Sequence, residues 1–334
     1  MSIMRISHCT LFAAVVLALT TAVGADAQPV LLTTGLQGTI GSTVGPDGAL
    51  YVPERSIGRI SRVDPVTGAV TTFASGLPSS VVGGGAYDVA FIGDTAYALV
   101  TFVGPDLNDV FGPGTVPGDG DVVGVYRIDG PDSHTVIADV GAFNIANPPS
   151  GFSFFVPTGV QYAMEVFRGG FLVTDGHLNR VLRITLDGAI SVLMPFGNVV
   201  PTGLTTWGNT VYVSQAGPVP HLPENGRVVA FGPKSTAATE VASGGALLID
   251  VKRGRGVRLY ALAQGTWDGA FEGAPALPNT GQLLEVNADG TFTVVAEELD
   301  RPASIQCIGN TVYIVTLTGE IWMIENVSDP PFGR

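Results

Sequence analysis

One strand-turn-strand unit recurs along this chain, and such a repeat constrains the fold more than any other feature. It reads Gly/Asn/Asp, two residues, then an apolar pair: Gly48-Ala-Leu-Tyr51-Val52, Asp94-Thr-Ala-Tyr97-Ala98, Gly169-Gly-Phe-Leu172-Val173, Asn209-Thr-Val-Tyr212-Val213 and Asn310-Thr-Val-Tyr313-Ile314. Val257-Arg-Leu-Tyr260-Ala261 follows the same rhythm without the leading turn residue. After five of these units come a third strand, a turn and a fourth strand. After the sixth the chain offers only Gly319-Glu-Ile-Trp-Met-Ile324 before Ser328-Asp-Pro-Pro. A spare strand stands at the start, Pro29-Val-Leu-Leu-Thr-Thr34, with the pattern of a fourth strand. A first strand that completes the last unit closes a ring. The expected fold is therefore all-β: a six-bladed β-propeller closed by an N-terminal strand in the last blade.

The other local signals agree. Apolar runs are short or alternate with period two, and no helical period stands out beyond the first 27 residues. Pro46-Asp-Gly48, Asp187-Gly188 and Asp289-Gly290 are hairpin turns. The spacing places blade 1 near Gly38–Ser75, blade 2 near Tyr87–Val140 and blade 3 near Thr158–Met194. Blades 4 to 6 follow near Thr202–Ala242, Leu247–Ala296 and Ala303–Val327.

Residues 1–27 read as a secretory signal peptide. Arg5 precedes an apolar and small run from Leu11 to Ala22, too short to span a bilayer, and Ala25-Asp26-Ala27 is a small-x-small cleavage site. The expected arrangement is a signal over 1–27, one propeller over 28–328 and a flexible tail over 329–334, in a secreted or periplasmic protein. Cys307 is then the one cysteine left, so the propeller has no internal disulfide, and its apolar strand suggests a buried inert thiol. The net charge is −13 and Lys234 and Lys252 are the sole lysines. That balance argues against nucleic acid and anionic membranes as partners. The expected partner is a small molecule or an extracytoplasmic protein, met by a monomer with no membrane span.

Strands alternate direction within a blade, so second-to-third-strand loops and blade-to-blade links share one face. The long inserts 102–121, 141–156, 215–225 and 264–280 all belong to those classes. They crowd one loop-rich rim, where ligand sites concentrate on a rigid scaffold.

Leu172-Val-Thr-Asp175-Gly-His-Leu-Asn179-Arg-Val181 resembles the NHL-repeat signature: an apolar strand, then Asp, two residues, Asn and Arg/Val. With Val200-Pro-Thr-Gly-Leu204 and Gln215-Ala-Gly-Pro-Val-Pro-His221-Leu-Pro, the chain is similar to the ScyD/ScyE family across most of 29–327. That resemblance implies a secreted six-bladed propeller.

Histidine is scarce, four in the whole chain. His134 falls near a third-to-fourth-strand turn on the opposite face. His177 and His221 fall in second-to-third-strand loops of adjacent blades, with Asp175, Asn179 and Glu224 close in sequence. Imidazole with carboxylate suits acid–base work or a metal, so His177 and His221 are the catalytic candidates and Asp175, Asn179 and Glu224 ligand-binding ones. The competing reading has Asp175 and Asn179 bonding to turn backbone and the histidines solvated. Asp88, Asp250 and Gln306 sit on first strands, which line the central channel. Channel carboxylates can bind a hard cation through oxygen. In the related gluconolactonase-like propellers a calcium there polarises a lactone or ester, which implies a divalent cation such as Ca2+ at Asp88 and Asp250, with Gln306 as a ligand contact. The alternative is two carboxylates hydrating a water-filled channel. There is no Gly-x-Ser-x-Gly elbow, Gly-Lys-Ser/Thr loop, His-Glu-x-x-His or CxxC. Two function classes survive: a binding or accessory propeller, or a hydrolase or lyase acting on a lactone, ester or related small substrate.

Overall fold

The computed structural model describes residues 28–80, 82–104, 106–114, 120–151, 156–271 and 273–328. The signal peptide expected over 1–27 and the tail expected over 329–334 lie outside these residues. Strand β1 is Val30–Thr33. Blade 1 holds β2 (Thr43–Val44), β3 (Leu50–Glu54), β4 (Arg59–Val63) and β5 (Val70–Ala74). Blade 2 holds β6 (Gly85–Ile92), β7 (Thr95–Thr101), β8 (Gly124–Gly130) and β9 (Ser133–Asp139). Blade 3 holds β10 (Gln161–Phe167), β11 (Gly170–Asp175), β12 (Arg180–Ile184) and β13 (Ile190–Pro195). Blade 4 holds β14 (Pro201–Trp207), β15 (Thr210–Gln215), β16 (Arg227–Phe231) and β17 (Thr239–Ser243). Blade 5 holds β18 (Leu248–Arg253), β19 (Leu259–Ala263), β20 (Gly281–Val286) and β21 (Phe292–Leu299). The last blade holds β22 (Pro302–Ile308), β23 (Thr311–Thr316) and β24 (Ile321–Ile324), and β1 pairs antiparallel with β24 to make its fourth strand.

The repeat residues drive the stacking. Tyr51 of blade 1 meets Phe73 and Phe91 edge-on, with centroids 4.9 and 4.7 Å away, and Phe91 belongs to blade 2. Tyr97 of blade 2 meets Phe171 of blade 3 at 4.9 Å. Each sheet thus covers its neighbour's apolar face, and such aromatic contacts add to the area they bury. Polar seams also join neighbouring blades. Thr202 Oγ1 donates to Leu248 O at 2.8 Å across blades 4 and 5.

Two short helices interrupt the β pattern, α1 (Asp106–Phe111) and α2 (Val140–Ala146). Asp139 caps α2 by accepting the Ala142 N–H at 2.7 Å. Each helix is under two turns long, too short to show a helical period in the sequence.

Five inner strands carry a β-bulge near the loop-rich rim: between Ala86 and Asp88, Gln161 and Met164, Pro201 and Leu204, Leu248 and Asp250, and Pro302 and Ser304. A bulge leaves an extra residue unpaired and re-aims the side chains around it. Tyr87 and Tyr162 fall within two of these bulges.

Candidate functional site at the loop-rich mouth

Side chains from five blades form an arc at the mouth. Arg55 follows β3, and its guanidinium carbon stands 5.4 Å from the centre of the Tyr87 ring. Tyr87 and Tyr162 are 6.5 Å apart between ring centres. The Tyr162 hydroxyl lies 3.3 Å from His177 Nε2. His221 meets Trp267 edge-on at 5.7 Å. Trp267 belongs to the long insert of blade 5, and its buried Nε1 has no hydrogen-bond partner among the described residues.

The two histidines share this mouth, as the strand parity requires. Burial pushes the His177 imidazole down to about 4, and the nearby His221 adds to the shift. His177 is therefore neutral at neutral pH. His221 is buried, with a positive φ of 56°. Its Nδ1 donates to Gly217 O at 2.9 Å, which puts the neutral ring's lone pair on Nε2.

The residues near the histidines in sequence do other work. Asp175 ends β11 fully buried. Its Oδ2 accepts from Arg180 Nε at 2.9 Å, and its Oδ1 accepts from Gln161 Nε2 at 2.8 Å. Burial raises the Asp175 carboxyl to about 6, against the pull of Arg180. Arg180 also donates to Asn144 Oδ1 on α2 at 2.7 Å. Glu54 and Arg59 make the same strand-end pair in blade 1, at 2.8 Å. Asn179 Oδ1 accepts two backbone N–H groups of the next link, Val199 at 3.0 Å and Val200 at 2.9 Å. Asp175 and Asn179 thus shape the loop that carries His177. Glu224 is exposed on a short 3-10 turn, Pro223–Asn225.

Asp88 and Asp250 occupy the same bulge position in opposite blades, and each staples its blade to the next. Asp88 accepts the N–H of Met164 at 2.8 Å and of Val89 at 2.9 Å, one on each oxygen. Asp250 accepts from Ile305 at 2.9 Å and Val251 at 2.8 Å in the same way. The channel's cation is the chain's own: Lys252 Nζ lies 3.7 Å from Asp250 Oδ1 and 3.6 Å from Glu165 Oε2, and donates to Leu204 O at 2.8 Å. Burial raises Asp88 to about 7, opposed by Lys252, and also raises Asp250 and Glu165. Glu165 is enclosed deep in the ring, yet the channel leaves its side chain 29 % exposed. The carboxylate oxygens are engaged by backbone amides beside a resident ammonium, so this set does not fit a calcium cage. Among the described residues no group of three His, Cys, Asp or Glu side chains is arranged to hold a metal.

Gln306 lies nearer the other end of the channel. Its Nε2 donates to Ser42 O, and it lines a cavity of about 310 Å³ with Glu165, Thr205 and Lys252. Cys307 lines the same cavity, and burial pushes its thiol up to about 12. Sequence reading missed Arg55, Tyr87, Tyr162 and Trp267. The one available signal was Tyr87 beside the singled-out Asp88, because only the bulge turns these neighbours toward different tasks.

No family model and no curated relative matches the chain. Solved structures do. A virginiamycin B lyase from Staphylococcus aureus, in a catalytically inactive form with quinupristin, is 13% identical, with 89% of this chain and 98% of that one covered at a TM-score of 0.55. A gluconolactonase from Xanthomonas campestris is 14% identical, with 90% and 89% covered and a TM-score of 0.59. A PQQ-bound aldose sugar dehydrogenase from Streptomyces coelicolor is 16% identical, with 90% and 98% covered and a TM-score of 0.60. What the likeness to a lyase, a lactonase and a dehydrogenase shows is the architecture, a six-bladed β-propeller.

Proposed function

We propose that this is an exported, ScyD/ScyE-like propeller that serves as a binding or accessory module, taking a small aromatic molecule at its loop-rich mouth. The observation that carries this reading is the arc itself: Tyr87, Tyr162, His177, His221 and Trp267 at one opening, with a buried indole N–H that has no acceptor among the described residues. Flat side chains stack on a flat ligand, and an acceptor atom on that ligand satisfies Trp267 Nε1. The low pKa of His177 favours binding over acid–base catalysis. A base that titrates near 4 is poorly matched to work at neutral pH. The second reading is a hydrolase or lyase. It draws on the same depressed pKa, because a neutral imidazole keeps its lone pair for a metal or a proton.

The test is calorimetric titration of the mature chain with indole and with p-cresol, beside assays of glucono-1,5-lactone and p-nitrophenyl acetate with and without calcium. Saturable aromatic binding that falls roughly tenfold or more in His177→Ala and in Trp267→Leu supports the binding module. Turnover of either ester that is lost in His177→Ala replaces it with the enzyme. No aromatic binding and no turnover refutes both.

A further inference from the structure

Four of the chain's 16 basic residues stand within seven positions, Lys252, Arg253, Arg255 and Arg258. In a protein of net charge −13 this is a local reversal of sign, and the mouth does not use it. The run spans the turn between β18 and β19, on the face opposite the loop-rich rim. Beside it a groove of about 390 Å³ opens along the seam of blades 4 and 5. Its walls include Tyr212, Val241, Leu259 and Val286. Trp207 and Val257, at its lip, are 39 % and 45 % exposed. That volume falls in the range of small-molecule sites, which are mostly apolar with a few placed polar groups.

Arg253 is the placed group. Its guanidinium carbon lies 4.1 Å from the centre of the Trp207 ring, a close cation–π stack. One Nη2 hydrogen goes to Gly256 O at 3.2 Å. Its Nε is buried with no partner among the described residues, and a buried charged donor left unmade is costly enough to need an explanation. The neighbouring cation is already matched, because Arg258 pairs with Glu285. Arg253 therefore presents the groove with an unanswered positive donor, held flat by an indole.

We propose that this groove is a second ligand site, specific for a small aromatic carboxylic acid. The carboxylate accepts from the Arg253 guanidinium, and the ring lies against Trp207 and the valine and leucine walls. A charged acceptor suits this position, because hydrogen bonds between a guanidinium and a carboxylate are about twice as strong as neutral ones.

Titration calorimetry with phenylacetate tests it, with phenylacetamide as the same ring without the charge. Phenylacetate should bind saturably, and the amide roughly tenfold more weakly or worse. Arg253→Met should abolish the phenylacetate binding that persists in Trp267→Leu. Val257→Glu, on the exposed lip, should weaken it by like charge, and it decides the matter if Arg253→Met does not fold. A saturable phenylacetate component should survive in His177→Ala and in Trp267→Leu, where binding at the mouth is impaired, which separates this site from the mouth. The proposal falls if the wild type takes up no phenylacetate at millimolar concentration, if the amide binds equally, if Val257→Glu keeps full affinity, or if His177→Ala removes the binding.

Discussion

The Tyr162 hydroxyl and His177 Nε2 meet at 3.3 Å, joining an inner-strand bulge to the second-to-third-strand loop of the same blade. The contact ties the imidazole to the inner layer of the ring. It also helps to keep that imidazole out of water, and its consequences can be measured.

His177 has a folded pKa near 4, below the ordinary histidine value of 6.5. The folded state thus binds fewer protons than the unfolded state between those pH values, and stability must fall as pH drops through that window. His177→Asn removes the titration. The difference in unfolding free energy between variant and wild type should therefore shift in the variant's favour from pH 6.5 to 4, by up to about 3 kcal/mol. Denaturant titrations at several pH values check this. A flat difference curve would mean that the ring is solvated.

Asp175 and Arg180 form a buried pair at 2.9 Å. Removing one partner leaves the other charge buried alone, at a cost of about 3–5 kcal/mol. Asp175→Ala should lower the melting temperature sharply. Asp175→Ala combined with Arg180→Met should recover part of the loss. No recovery in the double variant would show that Arg180 depends mainly on Asn144 and the backbone.

Gly203 sits against Asp250. A Cβ there would come 2.3 Å from Asp250 Oδ1 and 2.4 Å from its Cα. The second atom belongs to backbone, which has little freedom to give way. Gly203→Ala should destabilise the fold by at least the roughly 1–3 kcal/mol of core overpacking. Thermal unfolding measures it, and a stability equal to wild type would mean that the seam of blades 4 and 5 is looser than these distances.

Deleting residues 29–34 should expose the outer edge of β24. The pairs Val30 with Met323 and Leu31 with Trp322 would be lost. Val30 and Leu31 are about half exposed, so the loss comes mainly from ladder hydrogen bonds, each worth roughly 0.5–1.5 kcal/mol. Several together take a large share of the ~5–15 kcal/mol that holds a domain folded. An unchanged melting temperature in the truncated chain would refute the closure role.

Much of the fold was legible because it is written in short-range patterns. The Tyr-containing units at 48–52 and 310–314 mark second strands, and the surplus strand before Leu36 had one vacancy to fill. The face carrying His177 and His221 followed from strand parity alone. What parity does not reach is the direction of a single side chain. Tyr87 and Asp88 are adjacent, yet one faces the mouth and the other staples a seam, because a bulge lies between Ala86 and Asp88. Asp175 was singled out because it stands two residues from His177, and its buried pairing with Arg180 is a tertiary fact. Trp267 was hidden in an insert with no period. Arg253 was passed over because the overall charge is so negative.

The pairing of β1 with β24 brings together strands separated by nearly the whole chain. Contacts at such separation are slow to form, since the entropy of closing the intervening loop is lost before any pairing is gained. The strand synthesised first must therefore wait for the strand synthesised last. Until then blade 6 stays one strand short, and the edge of β24 is a ready template for a foreign strand. Docking of β1 takes that edge of β24 out of reach.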